Sequence, residues 1–342
     1  MATWFDESRL DDEAVWQRVD GPLRALAESG ARVRREVGEA AGAIADAVSR
    51  SEEQQRPRAV IAAGPDSRLL RAVLEPWCPV PFVAWPGPSL PGWAGGLDLV
   101  VVLAPDGGPS SASAVAEAVR RGCQLVVACP PSSMVAEHAA GRWSSVLPTT
   151  SGDQLATAVV MLEYLEQVRL GPRVDADRVA SALDEVAIAC SPHRDLAVNP
   201  AKMLAIALAD TTPVVWGGGV LAARAARRIA EQLRRASGRT ALAGDAEHLL
   251  PVLEATPQRD VFDDPFADEP RELRPMLLVL DDGSEEPLVR EERGQLRAAA
   301  ASRGIRVETL TTDAPTEVAR YASLLLSGSY AAAYLRLGLV ED

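Results

Sequence analysis

PVVWGGGVLAARAARRIAEQL, Pro213 to Leu233, is a short apolar run that breaks at Gly217, Gly218 and Gly219 and continues as an arginine-studded helical pattern. Three apolar residues ending in glycines read as a strand entering a tight turn, and the alanine- and leucine-rich continuation has helical periodicity. A strand that stops in consecutive glycines lets backbone N–H groups approach an anion, with the positive end of the next helix aimed at the same point. The turn is equally compatible with a plain strand-to-helix connection packed closely on its surroundings. It lacks the GxGxxG spacing and the acidic residue about 20 positions on that mark a dinucleotide site. A weaker copy of the pattern lies upstream in RAVIAAGPDSRLLRAVL, Arg58 to Leu74, which predicts two related α/β halves.

The chain has 342 residues, enough for two domains that each bury a core. With 47% apolar and only 4% aromatic residues, it is expected to be globular and packed on aliphatic side chains. No apolar run reaches the roughly 18 to 20 residues that span a bilayer. The acidic start, MATWFDESRLDDEAVW, differs from a basic, then apolar, signal sequence, so a cytoplasmic protein without a membrane partner is expected. Cys78, Cys123, Cys129 and Cys190 form no CxxC pair and read as reduced, mostly buried thiols. A net charge of −13 disfavours nucleic acid as the main partner, while a local donor cluster can still hold one small phosphorylated ligand.

Residues 10 to 50 carry Leu23, Leu26, Val33, Val37, Ile44 and Val48 on one helical face and are expected to cover the first sheet. Strands are expected at Val60–Ala62, Phe82–Ala84, Leu99–Leu103, Leu125–Ala128 and Ser145–Leu147, with helices at Ser67–Leu74, Ala112–Arg121, Met134–Ala140 and Gln154–Arg169. Short, near-continuous apolar strands alternating with helices predict a doubly wound, mostly parallel sheet. Gly171-Pro172 stops that half, which sets domain bounds of 1–170 and 171–342. The second half predicts helix over much of 173–211, then strands at Val214–Trp216, Thr240–Ala243, Met276–Leu280 and Val307–Leu310. Helices are expected at Leu221–Arg235, Leu288–Arg303 and Ala314–Leu337. The acidic, proline-bearing stretch 256–274 reads as a surface loop.

Candidate ligand contacts are Gly217, Gly218 and Gly219, with Arg235 and His248 expected beside that turn, Ser67 at the start of the first glycine-turn helix, and Ser110 and Ser111, which with Ser113 open the helix after Leu99–Leu103. Serines there serve equally as plain N-caps. Of three histidines, His138 reads as structural and the role of His193 is open. His248 is placed in a loop beside Glu247, a pairing that suits proton transfer or simple surface exposure. No metal-ligand constellation, Ser/His/Asp order or P-loop stands out, and no cofactor is expected.

The run Asn199-Pro200-Ala201-Lys202, the apolar helix after it, PVVWGGG, ARRIAEQLRRAS and the closing SLLLSGSYAAAYLRLGLVED together resemble the bifunctional phosphoglucose/phosphomannose isomerases. That family is built from two sugar-isomerase (SIS) domains. The resemblance implies two doubly wound SIS-type domains, a homodimer, and aldose–ketose isomerisation of hexose 6-phosphates through an enediol. Lys202, the chain's single lysine, lies in the NPAK segment.

In the family the base is the glutamate of an ENAK segment, and aligned without gaps that position falls on Arg235. An arginine stays protonated and cannot abstract the proton. The family's HNE histidine corresponds to His248 without the motif around it, and its phosphate loop corresponds to Pro105-Asp106-Gly107-Gly108-Pro109, where Asp106 repels a phosphate. Two readings follow. One is an isomerase in which Glu247 or another nearby carboxylate replaces the base and His248 opens the ring. The other is a catalytically inactive relative that binds a sugar phosphate or a partner and regulates carbohydrate metabolism.

Overall fold

The computed structural model describes residues 3–17, 20–64, 67–258 and 273–341. The predicted loop at 256–274 therefore falls largely outside the described residues. The chain divides into two compact units, one of residues 29–181 and one that joins residues 1–28 to 182–342.

The 29–181 unit is a five-stranded, all-parallel sheet. To number its elements in chain order, β1 (Thr3–Phe5), α1 (Glu13–Trp16) and α2 (Asp20–Ala27) come first and belong to the other unit. Then follow α3 (Ser29–Glu52), β2 (Val60–Ala63), α4 (Ser67–Leu74), β3 (Phe82–Trp85), β4 (Leu99–Leu103), α5 (Pro109–Arg120), β5 (Gln124–Cys129), α6 (Met134–His138), β6 (Ser144–Pro148) and α7 (Gln154–Gln167). The strand order is β3-β2-β4-β5-β6, with Ala62 level with Ala84 and Val101, and Val101 level with Val126. Every residue of β2 and β4 is buried, because helices cover both faces. Ile61, Val100, Val102, Val127 and Cys129 share a cluster with Ala114, Val115 and Ala118 of α5 and Val135 of α6, as the two-residue repeat of a strand requires. The other face carries α3 and α7. α7 is apolar nearly all round and buries nine of its residues, from Ala156 to Leu165.

The second unit continues with α8 (Ala176–Ala189), which straddles the division, then α9 (Pro200–Ala209), β7 (Thr211–Gly217), α10 (Val220–Ser237), β8 (Leu242–Ala243), α11 (Ala246–Glu254), β9 (Arg274–Asp281), α12 (Pro287–Ser302), β10 (Arg306–Thr311), α13 (Glu317–Gly338) and β11 (Leu339–Glu341). Its sheet is parallel with the order β10-β9-β7-β8. Val214 and Trp216 pack with α11 and α12, while α10 and α13 cover the opposite face. β1 pairs antiparallel with β11, and α2 packs on α13.

The leading helices thus part company. α3 lies on the first sheet as expected, but residues 1–28 belong with the C-terminal half, because strand pairing at β1–β11 is a long-range contact that no local periodicity encodes. The α/β class with parallel sheets flanked by helices agrees with the sequence, and strand positions match within two or three residues at each end. The cysteines are free thiols, with Cys123, Cys129 and Cys190 buried and Cys78 half-buried. No helix among the described residues is long and apolar enough to cross a membrane.

Candidate functional site

All strands of a parallel sheet end at one edge, so the turns after β2, β4, β5 and β6 gather at the carboxyl edge of the first sheet, where ligands of open α/β sheets bind. After β2 the chain turns at Gly64, whose φ of +88° favours glycine, and Ser67 begins α4. The Ser67 N–H donates to the Gly64 carbonyl at 3.2 Å. Its hydroxyl is fully buried and has no hydrogen-bond partner among the described residues. Such an orphan is costly, and a bound ligand relieves the cost.

The second contribution comes after β4. Ser111, 3% exposed on the first turn of α5, points its Oγ toward the Gly64 turn, where a Cβ would lie 3.3 Å from it. Gly108 caps α5 and Pro109 fills the position whose N–H has no intrahelical partner anyway. Ser110 and Ser113 are exposed on the same first turn. The loop holds its own anion: the Gly108 N–H donates to the Asp106 carboxylate at 3.2 Å. Gly107, at φ +62°, packs against the Ser133 side chain, so the turn after β5 buttresses the loop. Ser133 caps α6 and donates its hydroxyl to the Pro130 carbonyl at 2.7 Å. After β6, the buried Glu36 carboxylate of α3 accepts the N–H groups of Thr150 and Ser151, closing that turn with another internal anion.

The glycine turn of the second sheet is filled from within. A Cβ on Gly217 would strike the backbone of Ala222, one on Gly218 the side chain of Val289, and one on Gly219 the carboxylate of Asp282. Close packing therefore accounts for all three glycines, and the place where an anion would meet the α10 N-terminus already carries Asp282. Nothing in the local sequence signals this, since Asp282 arrives from the end of β9, 63 positions after Gly219.

His248 and Glu247 stand at the same carboxyl edge but in the first turn of α11, so the expectation of a loop is corrected: the periodicity of Leu249, Leu250 and Leu253 carries the chain into a helix there. Both side chains are exposed, and no hydrogen bond joins them among the described residues. Adjacent residues on a helix point about 100° apart, which is why the pairing fails. Arg235 lies sixteen residues beyond Gly219 at the far end of α10, about 24 Å along its axis. It is exposed and pairs with Glu231 at 2.5 Å. Arg235 and His248 therefore belong to opposite edges of the second sheet and do not share its glycine turn.

Lys202 has a role the sequence did not assign. Its side chain is fully buried and its Nζ donates to Asp11 Oδ1 at 2.6 Å and to the Pro192 and Arg194 carbonyls at 2.9 Å each, with the ammonium 5.6 Å over the Tyr334 ring. Asn199 accepts the Ala201 and Lys202 N–H groups as the N-cap of α9, and its amide donates to Ser191 O at 2.9 Å. The NPAK segment is thus a helix cap followed by a structural ammonium. His193 stacks edge-on against Trp16, with ring centroids 4.9 Å apart, and His138 is exposed. No group of metal ligands occurs among the described residues.

Residues 197–339 match the family of the bacterial phospho-glucose isomerase C-terminal SIS domain. Among solved structures, tagatose-6-phosphate ketose/aldose isomerase from Escherichia coli is similar at a TM-score of 0.66 and 12% identity, covering 94% of this chain and 93% of that one. The C-terminal domain of glucosamine-fructose-6-phosphate aminotransferase from Francisella tularensis gives 0.64 and 11%, covering 93% and 97%. A glucose-6-phosphate isomerase like protein from Thermus thermophilus gives 0.52 and 17%, covering 83% and 82%. At these identities the likeness shows the fold alone, an α/β fold with parallel sheets flanked by helices like that of these solved structures. No protein of curated function matches the sequence.

Proposed function

We propose that the chain binds a phosphorylated sugar, a hexose 6-phosphate, at the carboxyl edge of the first sheet, with Gly64, Ser67, Ser110 and Ser111 around the ligand. The observation that carries this reading is the buried, unpartnered Ser67 hydroxyl at the start of α4, in a turn that Ser111 also faces. A helix N-terminus and two or three hydroxyls supply neutral donors for a phosphate. Asp106 opposes a dianion on the α5 side of the loop and directs the phosphate toward α4.

In this reading the protein is a binding relative of the phosphosugar isomerases that acts on carbohydrate metabolism through its ligand. Enediol chemistry needs a carboxylate base and a ring-opening acid within hydrogen-bond reach of one substrate. Glu247 and His248 are exposed and diverge, and Arg235 is no base.

A second reading, interconversion of fructose 6-phosphate with glucose or mannose 6-phosphate, draws on the family match at residues 197–339 and on the position of His248 at a carboxyl edge. A coupled assay on the pure protein, run beside thermal denaturation with the same sugars, separates the two. Stabilisation without turnover selects the binder. Turnover that falls about 10² to 10⁴-fold in His248→Ala selects the isomerase. If none of these sugars stabilises the protein or turns over, the phosphosugar reading fails. A homodimer in the cytoplasm belongs to the same proposal, and light scattering checks the dimer.

A further inference from the structure

The edge of the first sheet opposite the ligand turns carries a feature that sugar binding does not use. In strand order β3-β2-β4-β5-β6, the residues leading into each strand are Trp77, then Arg56 and Arg58, then Trp93 and Leu97, then Arg121 and Gln124, then Arg142 and Trp143. The strand entries that carry them are tied by backbone bonds: Val60 N–H to Pro81 O, Arg58 N–H to Leu97 O, Gln124 N–H to Asp98 O, and Leu125 N–H to Trp143 O. Three of the chain's seven tryptophans lie here, exposed by 58% at Trp77, 49% at Trp93 and 44% at Trp143, with Leu97 at 63%. Large apolar side chains that face water together mark an interaction surface. Tryptophan and arginine are the residues that dominate binding energy at such surfaces.

The charges at this edge are unevenly paired. Arg58 is held by the buried Asp98 carboxylate at 2.7 Å, and Arg121 by Glu117 at 2.6 Å. Arg50, Arg56 and Arg142 have no carboxylate within ion-pair distance among the described residues; Arg50 reaches only the Ser144 carbonyl, at 3.0 Å. Glu52 and Glu53, at the end of α3, and Glu75, two residues before Trp77 and paired with Arg71, are exposed carboxylates beside this row. A chain of net charge −13 thus presents guanidinium groups without a carboxylate partner beside exposed indoles at one edge.

We propose that this edge docks an acidic segment of another polypeptide in extended conformation. Four strand spacings give a row about 19 Å long, the span of about six extended residues. The Arg142 guanidinium lies 4.6 Å from the Trp143 ring centroid and that of Arg58 5.8 Å from the Trp93 centroid. The Arg142 guanidinium over the Trp143 ring covers a face on which a sugar or base would stack and has no carboxylate of its own among the described residues, so it can take one from a partner, whereas Arg58 is already held bidentately by Asp98. A nucleic acid carries a phosphate charge about every 1.7 Å along the duplex and needs a continuous basic track, whereas three free arginines suit widely spaced carboxylates.

The test is fluorescence anisotropy with a labelled (Glu-Pro)5 peptide, which proline keeps extended, against (Ser-Pro)5 and a deoxythymidine 10-mer. The expected result is binding of (Glu-Pro)5 alone, weakened by salt and reduced at least tenfold in the Arg142→Glu, Trp143→Ala double variant. Both positions are exposed, and a circular dichroism melt checks that the variant is folded. Equal binding of (Ser-Pro)5, preferential binding of the 10-mer, no binding of any probe, or unchanged binding by the folded variant each overturns the proposal. Stabilisation by hexose 6-phosphates is expected to be unaffected in the variant, so this result stands apart from the sugar-binding test.

Discussion

The Lys202 ammonium sits 2.6 Å from the Asp11 carboxylate across 191 sequence positions, with the lysine wholly buried and the aspartate 44% exposed. The pair fastens the N-terminal segment onto α9 and the loop at 192–194. A compact ammonium with three donors matches two carbonyls and one carboxylate, which a planar guanidinium does not. Lys202→Ala is expected to cost about 3 kcal/mol, because it empties a filled site and leaves two carbonyls unpaired. Lys202→Arg is expected to destabilise as well. Denaturant unfolding at constant protein concentration reads both.

The same contact sets a pH dependence. The hydrogen bond from Lys202 holds the Asp11 carboxyl below its ordinary value, with a smaller lowering from the Leu196 N–H. Since the folded value is depressed, the stabilisation is fully present above the unfolded value of about 4 and disappears as pH falls through the folded one. Asp11→Asn should therefore be less stable than wild type at pH 7 by a gap that closes below about pH 4. A gap that persists unchanged at low pH would contradict the assignment.

At the glycine turn two substitutions that look alike should differ. Gly217→Ala drives a methyl into the Ala222 backbone, which cannot yield, and about 2 to 3 kcal/mol of destabilisation is expected. Gly219→Ala meets only the Asp282 carboxylate, the end of a side chain that can rotate away, so its cost should stay under about 1 kcal/mol. Thermal melts of the two variants decide the matter.

For Ser67 the signs of stability and binding are opposed. Replacing a buried hydroxyl that bonds nothing should leave the free protein as stable or slightly more so. Ser67→Ala should nonetheless reduce the shift in melting temperature produced by a hexose 6-phosphate. A loss of stability with ligand response intact would assign the residue to packing alone.

Two stacked tyrosines of α13 offer an internal control. The Tyr334 hydroxyl donates to Cys190 O at 2.7 Å, while the Tyr330 hydroxyl is buried without a partner among the described residues. Tyr334→Phe is expected to cost about 1 kcal/mol and Tyr330→Phe close to nothing. Unfolding curves of the two variants should separate accordingly.

Much of the fold was legible because its signals are local. β2, β4 and β7 are short apolar runs ended by glycine or proline turns, and α4, α10 and α12 carry helical periodicity, so element type and position follow from neighbours in sequence. α11 escaped because its nine residues follow a two-residue strand and contain Pro251, which weakens the helical signal. Among the candidate site residues, Ser67 and Ser111 could be named from their places at helix starts. That the two hydroxyls face one glycine turn depends on β2 and β4 being neighbours, which spacing alone does not reveal.

The sequence by itself determined an acidic α/β chain with parallel strands and a glycine turn before α10, since composition and periodicity act over a few residues. Tertiary structure alone decided that Asp282 fills that turn, that Lys202 belongs to Asp11, and that tryptophans and arginines from five separate loops line one sheet edge. Each of those facts is a meeting of residues far apart in the chain, fixed by strand order and helix length rather than by any short motif.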